Sequence, residues 1–353
     1  MHEIVIAADK LKQLVYDIFR SGGVNEADAA ETANHLVVAD LRGVESHGVQ
    51  RVSIYMKRLR CGLVNPNADI SIEKETSVSA LVNARNGLGP VTSRKALEIC
   101  MNKAKEHGIC AMAVHNSNHS GVLGYYTEIA ARNDLIAFAT TNAPANMAPF
   151  GGKVRYFGTN PFSFAFPAGE EQPFVLDMAT SVVAKGKIIL AAKNKQPIPL
   201  GWAIDRHGND TTDAEEAVKG LVLPVGGPKG YGLAFMVDIF SGILSGANWG
   251  PHIRDLYGNF EEPQNLGLFF FLMRPDLFIS LEEFKRRMDQ AIREVRSVEK
   301  APGVGRIYIP GERENELKRE RLQSGIPLSR EVVDELIAEA KLAGIGHPFE
   351  ITS

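Results

Sequence analysis

Two short stretches combine residue types that could move a proton and grip an acid. The first reads Ser46-His47-Gly48 and runs on to Arg51; the second reads His115-Asn116-Ser117-Asn118-His119 and runs into Ser120-Gly121. An imidazole titrates near neutral pH and suits general acid–base work. A guanidinium can hold a carboxylate through two parallel hydrogen bonds. Val52, Tyr55, Met56 and Leu59 recur at helical spacing, and Gly62 is a suitable C-cap. Ser46, His47 and Gly48 therefore fall at or just before a helix N-terminus, with Arg51 about one turn further in. Free N–H groups there favour an anion. A capped helix carrying an exposed histidine fits the same spacing, which leaves both readings open. His115 and His119 are four apart, as in zinc-binding helices, but the glutamate of HExxH is missing and the segment falls in a strand-to-helix turn. No metal is expected. His119 reads as catalytic or capping, and His115, nearer the strand, as structural. His35, on a helix beside Leu36 and Val37, reads as a packed side chain.

Polar turns beside strand-like runs form the second set of candidates. Gly158-Thr159-Asn160-Pro161 precedes an apolar strand, and Leu176-Asp177-Met178-Ala179-Thr180 ends another. Lys229 lies between Pro228 and Gly230 at the start of a helix reaching about Leu244, a place that could hold a phosphate. It is not a P-loop, because the spacing and the following Ser/Thr are absent. Gly87-Leu88-Gly89 lies between a strand and a helix, yet Thr92 stands where a Rossmann fingerprint needs its third glycine.

The elements that must position these residues follow from periodicity and punctuation. Helices are predicted over 8–21, from an Asn25 cap to Leu41, from Pro90 to Gly108, over 120–133, 181–193 and 280–296, and in the charged stretch 311–325, with a last one capped by Ser329. Strands are predicted over 78–84, 109–114, 135–141, 162–166, 174–178, 266–273 and 306–310. Residues 65–77 read as a linker, and the stretch around 197–213 as an irregular loop.

The chain has 353 residues, 44% hydrophobic and 23% charged, enough for a large core divided into lobes. A net charge of −3 with dispersed lysines and arginines argues against a nucleic-acid partner. No uncharged apolar run reaches membrane-spanning length; Leu233–Ala247 is too short and carries Asp238. The N-terminal residues lack a signal-peptide pattern, and three cysteines without a CxxC pair suit a reducing cytoplasm.

Taken in order, VESHGVQRV, NSNHSGVLGYY, PFGG…YFGTNP, LDMATS…GK, IPLGWAID, GPKGYGL, QNLG and APGVGRIYIPGE cover nearly the whole chain. This series resembles the type 2 malate/L-lactate dehydrogenase family, which includes ureidoglycolate, sulfolactate and diketogulonate oxidoreductases. The resemblance implies an α/β fold with a mixed, largely antiparallel central sheet covered by helices, an atypical, non-Rossmann NAD(P)-binding architecture. It implies a helical substrate and dimerisation lobe, 1–75 plus 300–353, and a sheet-containing cofactor core, 76–299. The activity implied is hydride exchange between NAD (or NADP) and a small 2-hydroxy or 2-keto acid, in a homodimer. By likeness, His119 and His47 are the acid–base candidates, unranked between themselves, and Ser46 and Arg51 position the substrate carboxylate. Thr159, Asn160, Pro161, Asp177, Met178, Ala179, Lys229 and Gly230 correspond to cofactor-contacting turns. Pro310, Gly311 and Glu312 match a loop that closes on the cofactor. Ala143 and Gln264 depart from some members, so no one member's substrate carries over. An NADPH-dependent reductase of cyclic 2-imino acids needs the same carboxylate grip, and a non-catalytic ligand-binding relative is the other alternative.

Overall fold

A computed structural model describes residues 3–349. The helical lobe comes first in the chain. Strand β1 (Ile4–Ile6) leads into α1 (Ala8–Ser21), α2 (Glu26–Leu41) and α3 (Val52–Arg60). Helix α1 buries Leu11, Leu14, Val15, Ile18 and Phe19, the stripe its spacing predicts, and ends at Gly22-Gly23. The Asn25 side chain caps α2 by accepting from the Asp28 N–H at 3.0 Å.

The main sheet is built from β2 (Ser71–Thr76), β3 (Ser79–Asn83), β4 (Ile109–Ser117), β5 (Ile136–Thr141), β6 (Phe162–Phe166) and β7 (Phe174–Met178), with α4 (Gly89–His107) and α5 (Leu123–Arg132) between strands. A small lobe follows: α6 (Lys185–Lys193), β8 (Ala203–Ile204), β9 (Asp210–Thr211), α7 (Ala214–Lys219), β10 (Leu221–Val222) and α8 (Pro228–Asp238), which runs on into a π turn over Ile239–Ile243. The chain re-enters the main sheet as β11 (Leu266–Met273). It then adds α9 (Leu281–Ser297), α10 (Glu312–Ser324), β12 (Ile326–Leu328) and α11 (Arg330–Ala343).

The seven main strands lie in the order β2-β3-β4-β11-β5-β6-β7. Only β3 and β4 pair in parallel; the other five neighbouring pairs are antiparallel. The sheet is thus mixed and largely antiparallel, as expected, and among the described residues no Rossmann crossover series is present. Strand β11 sits at the centre with both faces covered, which is why its sequence is apolar without alternation. Among the described residues, three large apolar clusters and one small one hold the molecule: helices α1, α2, α3 and α11 against one another, α4 and α5 against the main sheet, α6, α7 and α8 around the three-stranded sheet β10-β8-β9, and Ala131 of α5 on Ala165 and Val175 of β6 and β7.

Five expectations about the elements need correction, one being the helix predicted over 181–193, which starts only at Lys185 because Ala184 is extended. The linker at 65–77 contains β2, an exposed edge strand whose polar residues hid its alternation. Residues 306–310 form no strand; one bond from the Val175 N–H to the Pro310 carbonyl is their contact with the sheet edge, because three glycine and proline positions precede them. The helix after His119 starts at Leu123 rather than Ser120, because Gly121 takes φ +76° and breaks helical geometry. The loop around 197–213 holds β8 and β9, two-residue strands too short to leave a pattern.

Candidate active site

One cleft of about 980 Å³ opens where the helical lobe, the main sheet and the small lobe meet. Ser46, His47, Arg51 and His119 all line it, with Thr159 and Pro161. Residues 73 positions apart in sequence are brought together because β4 ends at its floor while the turns before α3 fold over it.

The stretch before α3 is two successive 3₁₀ turns, Glu45–His47 and Val49–Arg51, hinged at Gly48. Arg51 is therefore the N-cap residue of α3 and not a turn inside it. Its Nε donates to the Ser46 carbonyl at 2.8 Å, its Nη1 donates to the Tyr257 hydroxyl, and its guanidinium lies 5.5 Å from the centre of the Tyr257 ring. Among the described residues, Arg51 makes no ion pair. The Ser46 hydroxyl lies 2.8 Å from His47 Nδ1.

His119 follows the end of β4 in a heavily braced turn. The Asn118 amide donates to the Gly87 carbonyl at 2.9 Å, and the Tyr126 hydroxyl donates to the Ser120 carbonyl at 2.5 Å. Gly89, at the start of α4, packs so closely that a Cβ there would lie 2.1 Å from the His119 carbonyl oxygen. The His119 and His47 rings stack with centroids 5.2 Å apart and planes 25° apart. Tyr55, on α3, places its hydroxyl 2.5 Å from His119 Nδ1 and 3.3 Å from the His119 carbonyl.

Burial drives His119 well below the usual imidazole range, and the Arg51 charge adds to this. Burial first, and then the Arg51 charge, also depress His47, to about 4. Tyr55 is pushed above the ordinary phenol range by burial, so it stays protonated. Two neutral imidazoles, a neutral phenol and one cation thus converge on one wall. Such a set can exchange a proton with a substrate oxygen beside a bound carboxylate.

The opposite wall carries Lys153, Arg155 and Lys185. None of these three makes an ion pair or a side-chain hydrogen bond within the described residues. Burial first, and then the nearby Arg155 charge, lowers the Lys185 ammonium from its usual range, with Asp255 opposing. Neighbouring cations that lack partners suit an anionic ligand.

The remaining sequence candidates lie outside the cleft lining. Asn160 is buried at φ +32°; its side chain accepts from the Ala143 N–H at 3.1 Å and donates to the Ala234 carbonyl at 2.9 Å. Asp177 and Met178 pair with Ser163 and Phe162 at the sheet edge, and the Asp177 carboxylate accepts from the Gly124 N–H at 2.6 Å. Ala179 follows that strand. Lys229 is exposed in the first turn of α8, and Gly230 is packed so that a Cβ would meet the Val225 carbonyl at 2.3 Å. Pro310 and Gly311 pack beside Val175, while the Glu312 carboxylate accepts from the Ile309 N–H at 2.8 Å and pairs with Arg296. His115 Nε2 meets the Glu73 carboxylate at 3.0 Å, on the far side of the turn from His119. Among the described residues, no group of three or more His, Cys, Asp and Glu side chains converges as metal ligands.

Sequence reasoning did not single out Tyr55, Tyr257, Arg155 or Lys185. For Tyr55 a signal existed: it is four residues after Arg51, on the same helix face.

The chain thus combines a mixed α/β sheet with a polar cleft in which two histidines stack beside an arginine that makes no ion pair among the described residues. A model of the malate/L-lactate dehydrogenase family matches residues 6–337. The chain is 41% identical over 350 residues to a malate dehydrogenase of Pyrococcus horikoshii, covering 97% of this chain and 96% of that one. It is 40% identical over 333 residues to an L-sulfolactate dehydrogenase of Methanocaldococcus jannaschii, covering 94% and 95%. A solved structure of sulfolactate dehydrogenase from that organism superposes with a TM-score of 0.92 over 97% of this chain and 98% of the other. A ureidoglycolate dehydrogenase (NAD(+)) of Escherichia coli is 34% identical over 335 residues, covering 95% of each chain. The chain belongs to the malate/L-lactate dehydrogenase family and is an oxidoreductase of the 2-hydroxy acid type. Among the described residues, no helix is long and apolar enough to cross a membrane.

Proposed function

We propose that the protein interconverts a 2-hydroxy acid and its 2-oxo acid, with NAD as the preferred nicotinamide and with preference for a substrate bearing a second acidic group. The observation that carries this reading is the stacked pair His47–His119 beside Arg51, a cation without a carboxylate partner among the described residues. Arg51 and the Ser46 hydroxyl hold the substrate carboxylate. His119 exchanges the proton of the substrate oxygen through Nε2, and His47 polarises that oxygen or shares the transfer.

Tyr55 fixes the tautomer in which His119 can act as a base. Neutral His119 carries its hydrogen on Nδ1 and donates it to the Tyr55 oxygen, while the phenol hydrogen points to the His119 main-chain carbonyl, so Nε2 is free to accept. When Nε2 takes the hydroxyl proton, the same two hydrogen bonds hold the resulting imidazolium. No charge moves onto the phenol, in keeping with its raised pKa. The nicotinamide, when bound, supplies the hydride acceptor or donor. The residues present fit such a group. The cleft is large, and Lys153, Arg155 and Lys185 offer unpaired positive charge to an anionic dinucleotide or to a second acid group. Thr159, Pro161, Asp177, Lys229 and the 310–312 loop are proposed as its outer contacts.

The helical lobe, 1–75 with 300–353, is proposed to supply the substrate-binding turn, and 76–299 the cofactor wall. A homodimer is proposed because Phe235, Ile239 and Ile243 expose an apolar stripe along α8 and its π turn. Light scattering tests it; a monodisperse monomer would refute it. The cysteines are free, which suits a cytoplasmic site.

The decisive assay is a panel of 2-oxo acids with NADH and NADPH, followed at the nicotinamide absorbance. Malate-type, lactate-type, sulfolactate-type and ureidoglycolate-type pairs belong on it, with a cyclic 2-imino acid as the competing class. Turnover of the oxo acids is expected. Reduction of the cyclic imine alone would replace this reading with the imine-reductase one.

A further inference from the structure

Helix α2 touches both histidine turns through two buried polar side chains that the mechanism above does not use. Asp40 is 2% exposed, and its carboxylate accepts from the Val49 N–H at 2.7 Å, in the middle of the Ser46–Arg51 turn. Five residues earlier on the same helix, His35 is 1% exposed, and its Nε2 accepts from the Val122 N–H at 3.0 Å, just after His119-Ser120-Gly121. In each turn the glycine next to the bond is held tightly against its prop. A Cβ on Gly48 would lie 1.9 Å from Asp40 Oδ1, and one on Gly121 would lie 2.0 Å from His35 Nε2.

Neither side chain is a natural choice for simple packing. With Nε2 accepting, the neutral His35 ring carries its hydrogen on Nδ1, and that atom is buried without a partner. Such a group costs stability where an apolar side chain of similar size would not. The ring is also locked, stacked on Tyr126 at 5.3 Å and edge-on to Tyr125 at 4.7 Å. Asp40 is fixed from behind, because Arg321 donates to its main-chain carbonyl at 2.5 Å and to the Glu45 carboxylate at 2.7 Å. An α-helix does not stretch, so the offset between residues 35 and 40 sets the offset between the turns.

We infer that α2 is a single strut fixing the spacing of the two histidine turns, with Asp40 the positioning residue for Ser46, His47 and Arg51, and His35 the positioning residue for His119. The inference rests on the proposed roles of those four residues. The pairing at 5.2 Å between ring centroids is what the strut secures. A shift of about 1 Å in such an arrangement costs roughly hundredfold in rate.

The test uses the full chain and four variants: Asp40→Asn and His35→Gln, which keep an acceptor, and Asp40→Ala and His35→Leu, which do not. Three readouts are taken: kcat and KM on the best 2-oxo acid, melting temperature, and deuterium uptake in segments 44–52 and 117–124. Asp40→Ala is expected to raise KM about tenfold or more and to speed exchange in 44–52 alone, because Arg51 loses its seat. His35→Leu is expected to lower kcat about hundredfold with KM within about threefold, and to speed exchange in 117–124 alone. Asp40→Asn and His35→Gln should recover most of each loss. Should Asp40→Ala or His35→Leu not fold, Asp40→Ser and His35→Asn, too short to reach the two amides, replace them with the same expectations. The strut is refuted by folded variants with parental kinetics and exchange, or by acceptor-keeping variants as impaired as the others. A parent chain inactive on every oxo acid would refute the functional reading instead. The exchange data would then still decide the strut, faster local exchange supporting it and unchanged exchange refuting it.

Discussion

The two walls of the cleft are built to different standards. On the histidine wall the four side chains proposed for the chemistry and its grip are held by partners, although Asn118 Oδ1 and Ser120 Oγ, on either side of His119, have none among the described residues. Tyr55 meets His119 Nδ1, Ser46 meets His47 Nδ1, and Arg51 is held by the Ser46 carbonyl and Tyr257. Strand β4 and helices α2, α3 and α4 brace it from behind. On the opposite wall Lys153 and Arg155 are exposed and unpaired, and the supporting strands β8, β9 and β10 are two residues long. On the roles proposed for these residues, the difference separates two tasks. Proton transfer needs preformed geometry, which ordered packing supplies. Recognition of a charged, variable end needs attraction without fixed partners, and those charges reach full use only when ligand or a second subunit removes water from them.

This comparison predicts a graded set of losses. The largest falls on His119. Its replacement by Gln should lower kcat about 10²- to 10⁴-fold, with the melting temperature little changed. Near-parental turnover would remove His119 from the proton-transfer role. The pH profile follows from the sign of its shift. A base held neutral below its usual pKa stays competent as pH falls through about 6.5. The acid limb of kcat/KM for hydroxy-acid oxidation should therefore lie below that value. An acid limb above pH 7 would contradict the depressed imidazole.

Next comes Arg51. Loss of a charged, bridging hydrogen-bond donor costs about 1.5–3 kcal/mol, so Arg51→Ala should raise KM roughly 10- to 150-fold with a smaller effect on kcat. Arg51→Lys should recover only part of this, because an ammonium lacks the planar fork. A parental KM in Arg51→Ala would move the carboxylate site elsewhere. Tyr55→Phe ranks third. It removes one neutral hydrogen bond from a packed helix face and should slow turnover by roughly tenfold or less. An unchanged kcat would show that the tautomer of His119 needs no partner.

The histidine wall was also the more legible one. Ser46, His47 and Arg51 announced themselves because a polar run entering an amphipathic helix breaks the apolar rhythm. His119 did so because β4 is strongly apolar up to Val114 and then turns polar. The mixed sheet came from the series of motifs, and β5, β6, β7 and β11 fell where their apolar runs placed them. The basic wall left no such mark. Arg155 and Lys185 stand in unremarkable polar contexts, and only the tertiary fold puts one beside the other. Tyr55 was hidden differently, since its apolar ring serves the helix periodicity while its hydroxyl serves His119. Strand β2 and the two-residue strands of the small lobe were missed because short or solvent-facing strands need little alternation. Asp40 and His35 read as helix interior, and their hydrogen bonds reach segments 9 and 87 residues away, beyond any local pattern.

The smallest predicted effect is the one that bears most directly on substrate choice. Lys185 is half-buried beside Arg155 and faces the cleft without a partner. If this pair receives a second acidic group, Lys185→Gln should raise KM for a malate-like dianion and leave a lactate-like monoanion alone. An ion pair in a partly solvated site contributes about 0.2–1 kcal/mol, so the expected change is only about 1.4- to 5-fold. Two controls make a change of that size readable. Salt should reproduce it, because raising ionic strength from 0.05 to 0.5 M shortens the screening length from above to below about 10 Å. KM for the dianion should climb with salt in the parent and climb less in Lys185→Gln. Arg155→Gln should behave alike, and the double variant should show less than the sum, since two neighbouring cations acting on one anion are coupled. An equal rise for both substrates would assign the pair to the cofactor phosphates instead. No rise for either would mean that the basic wall serves a partner subunit, and the contrast between the two walls would then be one between chemistry and assembly.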